Sequence, residues 1–128
     1  MARAARDWFV HWATTRAPAN LGAPLASLAS FQQTLGRIDA LLFSNRVLLD
    51  ATAHVERVAL DEAPLVKYTV TNQAIEAVQL AVEASGNPGL SRDNPLERHY
   101  RDVLCARIHT PQNDSVLQGV GRAGFALG

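Results

Sequence analysis

The chain has 128 residues, of which 48% are hydrophobic, enough apolar material for one packed domain and too much for disorder. Twelve Lys and Arg balance twelve Asp and Glu, so the basic excess of a nucleic-acid-binding face is missing. The lone cysteine, Cys105, excludes an internal disulfide framework and a cysteine-based zinc site, and fits a reducing, cytoplasmic setting.

No apolar run approaches the roughly 20 residues of a membrane span. The opening "MARAARDWFVHW" has too short an apolar segment for a secretory signal, and His11 interrupts it. No internal repeat or low-complexity tail is present. The most strand-like run, "VKYTVT" (66–71), sits inside a longer helical pattern. The first helix is expected from Ala2 to Thr15, with Trp8, Phe9 and Trp12 on one face. "RAPANLGAP" (16–24) breaks it with two prolines and a glycine. A second helix starts at Ser27 or Ser30, where Ser30 and Gln33 have the form of a capping box. Its apolar stripe is Phe31, Leu35, Ile38, Leu42 and Leu49, and it is expected to reach Leu60. That length suits a long bundle or an interface extending beyond the chain.

"DEAP" (61–64) marks the third helix start, with acids suited to a helix N-terminus. Leu65, Tyr68, Ile75, Val78 and Val82 supply its apolar face, and "SGNPG" (85–89) stops it. The fourth helix spans Asn94 to Pro111. Asn94 is its N-cap, Pro95 sits at N1 and Glu97 at N3, while Leu96, Tyr100, Val103 and Leu104 face inward. A short fifth helix covers Asp114 to Ala123. The expected fold is all-α: a single domain, 1–128, built as an up-and-down four-helix bundle with a short fifth C-terminal helix.

The chemistry-bearing residues concentrate on the fourth helix. Arg98 and Asp102 stand i,i+4, and an intrahelical ion pair outweighs the alternative, that Arg98 or Arg101 grips a phosphate or carboxylate. His99 is expected to be exposed. His109 falls at the helix end, where a cation complements the dipole. It has no second histidine or glutamate at ligand spacing, so a metal site is not indicated. Cys105 has no base partner in the sequence and reads as a small core residue. "GNPGL" does not follow a strand and is no dinucleotide fingerprint; "GVGR" is equally weak alone. The aromatic cluster Trp8, Phe9, Trp12 and Phe31 reads as core.

The order of the blocks says more. "PLASLASFQQTLGRIDALLFSNRVLL", "TNQAIEAVQLAVEASGNPGL", "SRDNPLERHYRDVLCARIH" and "GVGRAGFALG" together resemble the C-terminal helical domain of the acyl-CoA dehydrogenase superfamily. The flavin-dependent, two-component (class D) monooxygenase branch is the nearest in pattern. Many dehydrogenases of the family continue after Arg-Asp into Tyr-Glu-Gly, whose glutamate removes the substrate's α-proton. Here that register falls on His109-Thr110-Pro111, and no carboxylate is present. A histidine at 109 resembles the monooxygenases, where it points toward the flavin, and imidazole titrates near neutral pH.

The resemblance therefore implies an oxygenase of a small organic substrate that uses reduced flavin. Its cofactor would be FAD or FMN, with only half of the site in this chain. It assigns His109 to catalysis, Ser85 and Gly86 to backbone contacts with the cofactor, and Arg92 and Arg98 to the cofactor phosphates. It further implies a homo-oligomer, dimer or tetramer, built through the bundle, with a flavin reductase as a further partner. The family's usual N-terminal helical and middle β-domains have no counterpart, so the chain reads as a fragment of, or partner to, a larger flavoprotein. The alternatives are the C-terminal domain of an acyl-CoA dehydrogenase and a non-enzymatic assembly bundle.

Overall fold

The computed structural model describes residues 2–53, 62–108 and 112–127. Among them six α-helices and one 3-10 turn follow in order: α1 (Ala2–Thr15), the turn Leu25–Ser27, α2 (Ala29–Thr52), α3 (Ala63–Ser85), the single-turn α4 (Asn87–Leu90), α5 (Leu96–Cys105) and α6 (Asn113–Gly124). No strand occurs among the described residues. The expected all-α bundle is the fold observed, and "VKYTVT" lies within α3.

The central element is α3, which packs against α1, α2 and α5. It is apolar enough to do so because small and β-branched residues alternate around it: Ile75, Ala77, Val78, Ala81 and Val82 are all buried. α1 buries Ala5, Phe9 and Ala13, one face at steps of four. Phe9 stacks on Phe31 of α2 with centroids 6.1 Å apart, and Trp8 stacks on Trp12 at 5.7 Å. The aromatic cluster is core, as expected. An ion pair fixes the same helix pair: Arg6 Nε donates to Asp39 Oδ1 at 2.8 Å and its terminal nitrogen to Oδ2 at 3.1 Å, the two-point geometry that guanidinium allows. Leu96 and Val103 bring α5 into the common core.

Several expectations change. The Ser30–Gln33 capping box is absent: α2 starts one residue earlier at Ala29, its N-cap is Leu28, and no side chain caps it. The preceding 3-10 turn takes over, with Leu28 carbonyl accepting from Phe31 and Gln32. α2 is described to Thr52; its expected extension to Leu60 lies outside the described residues. Leu49 is exposed, because the buried position after Ile38 and Leu42 is Asn45, which donates to the Val70 carbonyl of α3 at 3.0 Å. On α5 the ion pair is Glu97–Arg101 at 2.8 Å, and no Arg98–Asp102 pair forms among the described residues. Glu97 thus turns along the helix rather than back to its start. Cys105 is exposed, since it continues the outward row of Arg98 and Arg101 rather than the inward row of Leu96 and Val103. His99 is half-buried, one step from the inward Tyr100. The α5 helix ends at Cys105, well before Pro111.

Candidate functional site

Of the predicted site residues, Ser85, Gly86, Arg92 and Arg98 lie along the chain between the end of α3 and the first turns of α5. Ser85 closes α3 and is buried, and its hydroxyl donates back to the carbonyls of Ala81 at 2.8 Å and Val82 at 3.2 Å. Gly86 then turns the chain with φ 66° and ψ −137°, a conformation glycine alone adopts readily. Its amide donates to the Val82 carbonyl at 3.0 Å and its carbonyl accepts from Gly89 at 3.0 Å. Gly89 is buried against this end of α3. A methyl group there would stand 2.1 Å from Ser85 Oγ and 3.2 Å from both Leu96 Cδ2 and the Val82 carbonyl.

Asn94 ties the turn to α5. Its amide nitrogen donates to the Pro88 carbonyl, and its side-chain oxygen accepts from the Leu96 amide at 3.0 Å. The N-cap position is Pro95, with no side-chain cap; Asn94, expected there, stands one residue earlier and accepts from the first helical amide. Beside it lies an open cleft of about 500 Å³ lined by Arg92, Arg98 and Arg101, with Asp93 and Glu97. Arg101 is held by Glu97 through two contacts, 2.8 Å and 3.3 Å. Arg92 and Arg98 have no salt bridge among the described residues and are exposed. Two guanidinium groups bordering one cleft suit an anion with several oxygens, such as a phosphate. The Ser85 hydroxyl, committed to its own helix, offers nothing to such a ligand.

His109 lies outside the described residues, together with Thr110 and Pro111. The last described residue before it, Ile108, stands beyond the far end of α5. That helix has 10 residues, about 15 Å of rise. The cleft lining runs along α5 as far as Arg101, about one turn short of its end at Cys105. At that far end a second, largely apolar groove of about 550 Å³ runs between α1, α2, α3 and α5, past Leu42, Asn45, Val70, Ala74 and Val103. Burial lowers the His99 pKa below the ordinary imidazole value, with the Arg98 charge acting in the same direction. Among the described residues no group of three or more His, Cys, Asp or Glu is placed to hold a metal, and no helix is long and apolar enough to cross a membrane.

Residue reasoning along the chain overlooked Gly89, Lys67 and the Arg6–Asp39 pair. Each depends on which helices meet, so local spacing carried little trace of them. Within "SGNPG" the stop signals are Gly86 and Pro88, and only the packed structure shows why a side chain is excluded at Gly89.

The helices and their order are those of a helical-bundle domain. A family model described as "Acyl-CoA dehydrogenase, C-terminal domain" matches residues 1–114, and the chain belongs to that family. It is 33% identical over 98% of its length to YdbM of Bacillus subtilis (strain 168), named there as a candidate acyl-CoA dehydrogenase, and covers 34% of that protein. It is 30% identical over 99% of its length to the mitochondrial short-chain specific acyl-CoA dehydrogenase of Bos taurus, covering 31% of it. A shorter match, 32% identical over 44% of the chain, is to the flavin-dependent monooxygenase oxygenase subunit HsaA of Rhodococcus jostii (strain RHA1). Among solved structures, butyryl-CoA dehydrogenase from Megasphaera elsdenii superposes with a TM-score of 0.85 at 24% identity over 97% of this chain and 33% of that one, a likeness of fold. The chain spans about a third of the length of the full-coverage relatives. The full-length matches are to acyl-CoA dehydrogenases, so the monooxygenase branch is not singled out.

Proposed function

We propose that the chain is the C-terminal bundle of a flavin-dependent oxidoreductase of the acyl-CoA dehydrogenase type, one domain over residues 1–128 that contributes part of an FAD site and an assembly surface. The observation that carries this reading is the family match along residues 1–114, joined to relatives that are dehydrogenases over the whole chain. When bound, the flavin would accept the hydride equivalent that leaves the substrate. The bundle would bind and orient it. Arg92 and Arg98 are the groups suited to its phosphates. Ser85 and Gly86 shape the turn beside them, offering backbone only, and the cofactor is FAD in preference to FMN.

A dehydrogenase of this type also needs a base for the substrate's α-proton. The register that supplies a glutamate in many relatives reads His109-Thr110-Pro111, and a threonine hydroxyl is no base at neutral pH. The base must come from another helix or from the remaining two-thirds of the protein. A second reading keeps the oxygenase: His109 would hold or deliver a proton beside reduced flavin. The match to the HsaA oxygenase subunit over part of the chain favours it. In that case a flavin reductase is a partner.

Titration of the chain with oxidised and reduced FAD and FMN tests the half-site. Weak binding, at most micromolar, is expected, and nanomolar affinity overturns it. In the complete protein, bleaching of the flavin by an acyl-CoA thioester without oxygen marks a dehydrogenase. Oxygen-dependent modification of substrate with reduced flavin, lost in His109→Ala while assembly persists, marks the oxygenase.

A further inference from the structure

We infer that Lys67 is a clasp that ties the end of α5 to the start of α6 and so fixes where α6 begins. Lys67 sits on α3, half-buried, and its Nζ donates to the Ala106 carbonyl at 3.2 Å and to Asn113 Oδ1 at 3.1 Å. Ala106 is the C-cap of α5, so its carbonyl is one of those a helix end leaves without an intrahelical partner. A cation there also complements the negative end of the helix dipole. Asn113 opens α6 and is buried, 7% exposed. Its amide donates to the Arg107 carbonyl at 3.3 Å. One ammonium therefore holds both ends of a connection that bridges two helices.

Among the described residues the clasp adds to a small buried contact of α6. Among the described helices α6 packs against α3 alone, and its buried residues are Asn113 and Val116. α5, by contrast, is anchored in the core through Leu96 and Val103. Lys67 is thus the polar joint through which the core dictates where α6 begins. An ammonium can meet acceptors in several directions at once, which the flat fork of an arginine does not reproduce. The two anchors bracket positions 109–111. The consequence for catalysis rests on the second reading above, in which His109 holds or delivers a proton; the clasp itself does not.

The test is amide hydrogen exchange in the chain carrying Lys67→Met, which keeps the stem and removes the donors. Exchange at Arg107, Ile108 and Asn113 should accelerate about tenfold or more relative to the α3 core amides of Ile75 and Val78, the pattern of a local rather than a global opening. Equal acceleration at all five positions would reduce Lys67 to a general contributor to stability and overturn the inference, as would no acceleration. Should Lys67→Met fail to fold, Asn113→Ala removes one acceptor and must show the same local pattern in reduced measure. Flavin titration is independent of this readout, so a failed cofactor assay beside a local exchange pattern rejects the flavin reading and keeps the clasp.

Discussion

Gly89→Ala isolates a single packing requirement at the turn that carries the arginine cleft. The new methyl would lie 2.1 Å from Ser85 Oγ, closer than any real contact, and 3.2 Å from Leu96 Cδ2 and from the Val82 carbonyl. Ser85 Oγ is the end of a short side chain and can rotate, but it is buried and leaves two helix carbonyls, at 2.8 and 3.2 Å, when it does. Overpacking costs about 1–3 kcal/mol. Losing the hydroxyl's hydrogen bond adds roughly 1 kcal/mol. Ala gains up to about 1 kcal/mol over Gly in a helix, although α4 is a single turn and realises only part of it. The net expectation is a loss of about 1–3 kcal/mol, measured by urea denaturation of the chain and its variant.

The companion is the double variant Ser85→Ala/Gly89→Ala. Ser85→Ala removes the atom at 2.1 Å and leaves the two contacts at 3.2 Å, so the pair should recover more than half of the loss. Residues in contact couple by 0.5–3 kcal/mol, roughly what this recovery requires. A Gly89→Ala chain as stable as the parent, or a double variant no better than the single, would refute the packing argument.

Three further expectations follow from the geometry. Hydrogen bonding to Arg6 holds the Asp39 carboxyl below the usual carboxylate range; a depressed carboxylate stabilises above its unfolded pKa and loses that contribution as pH falls through its folded value. Asp39→Asn should therefore flatten the acid limb of stability below about pH 4 and, with Asp39 partly exposed, cost at most about 1 kcal/mol at neutral pH. His99, depressed chiefly by burial, favours the neutral imidazole in the folded chain, so stability is full above about pH 6.5 and declines as pH falls through the lower folded pKa; His99→Gln should remove that step in a pH series of thermal melts. Phe43 and Val47, one turn apart on α2, are about half exposed; if this face is the assembly surface, Phe43→Glu with Val47→Lys should shift the complete protein to a smaller species in light scattering, and an unchanged mass would place assembly elsewhere.

The helices were legible because periodicity and stop residues agree. Trp8, Phe9 and Trp12 followed by two prolines left little freedom at α1. The errors came where a residue-type prior overrode periodicity. By residue type Cys105 reads as a small hydrophobe, yet a step of four from Arg101 places it on the charged face. His99 reads as polar and exposed, although it neighbours Leu96 and Val103 on the inward side. On α2 the apolar stripe was drawn from Leu42 to Leu49, skipping the one buried position between them because it held a polar residue, Asn45. Buried polar residues such as Asn45 and Asn113 reach core positions when a partner on another helix receives them, and those partners, Val70 and Lys67 on α3, are not neighbours in the sequence.

The candidate site shows the same division. The arginines and the Ser85-Gly86 turn were found from the order of blocks, and they gather at one end of the bundle. His109 lies outside the described residues. Under the reading proposed above, Arg92 and Arg98 would hold the phosphates of FAD; a cleft that serves some other anion would leave them unconnected to the flavin. Competition settles which. ADP alone should displace FAD from the complete protein if Arg92 and Arg98 hold the diphosphate, and Arg98→Ala should weaken both ligands by a similar factor. An unchanged ADP affinity in Arg98→Ala would remove the cleft from the cofactor site.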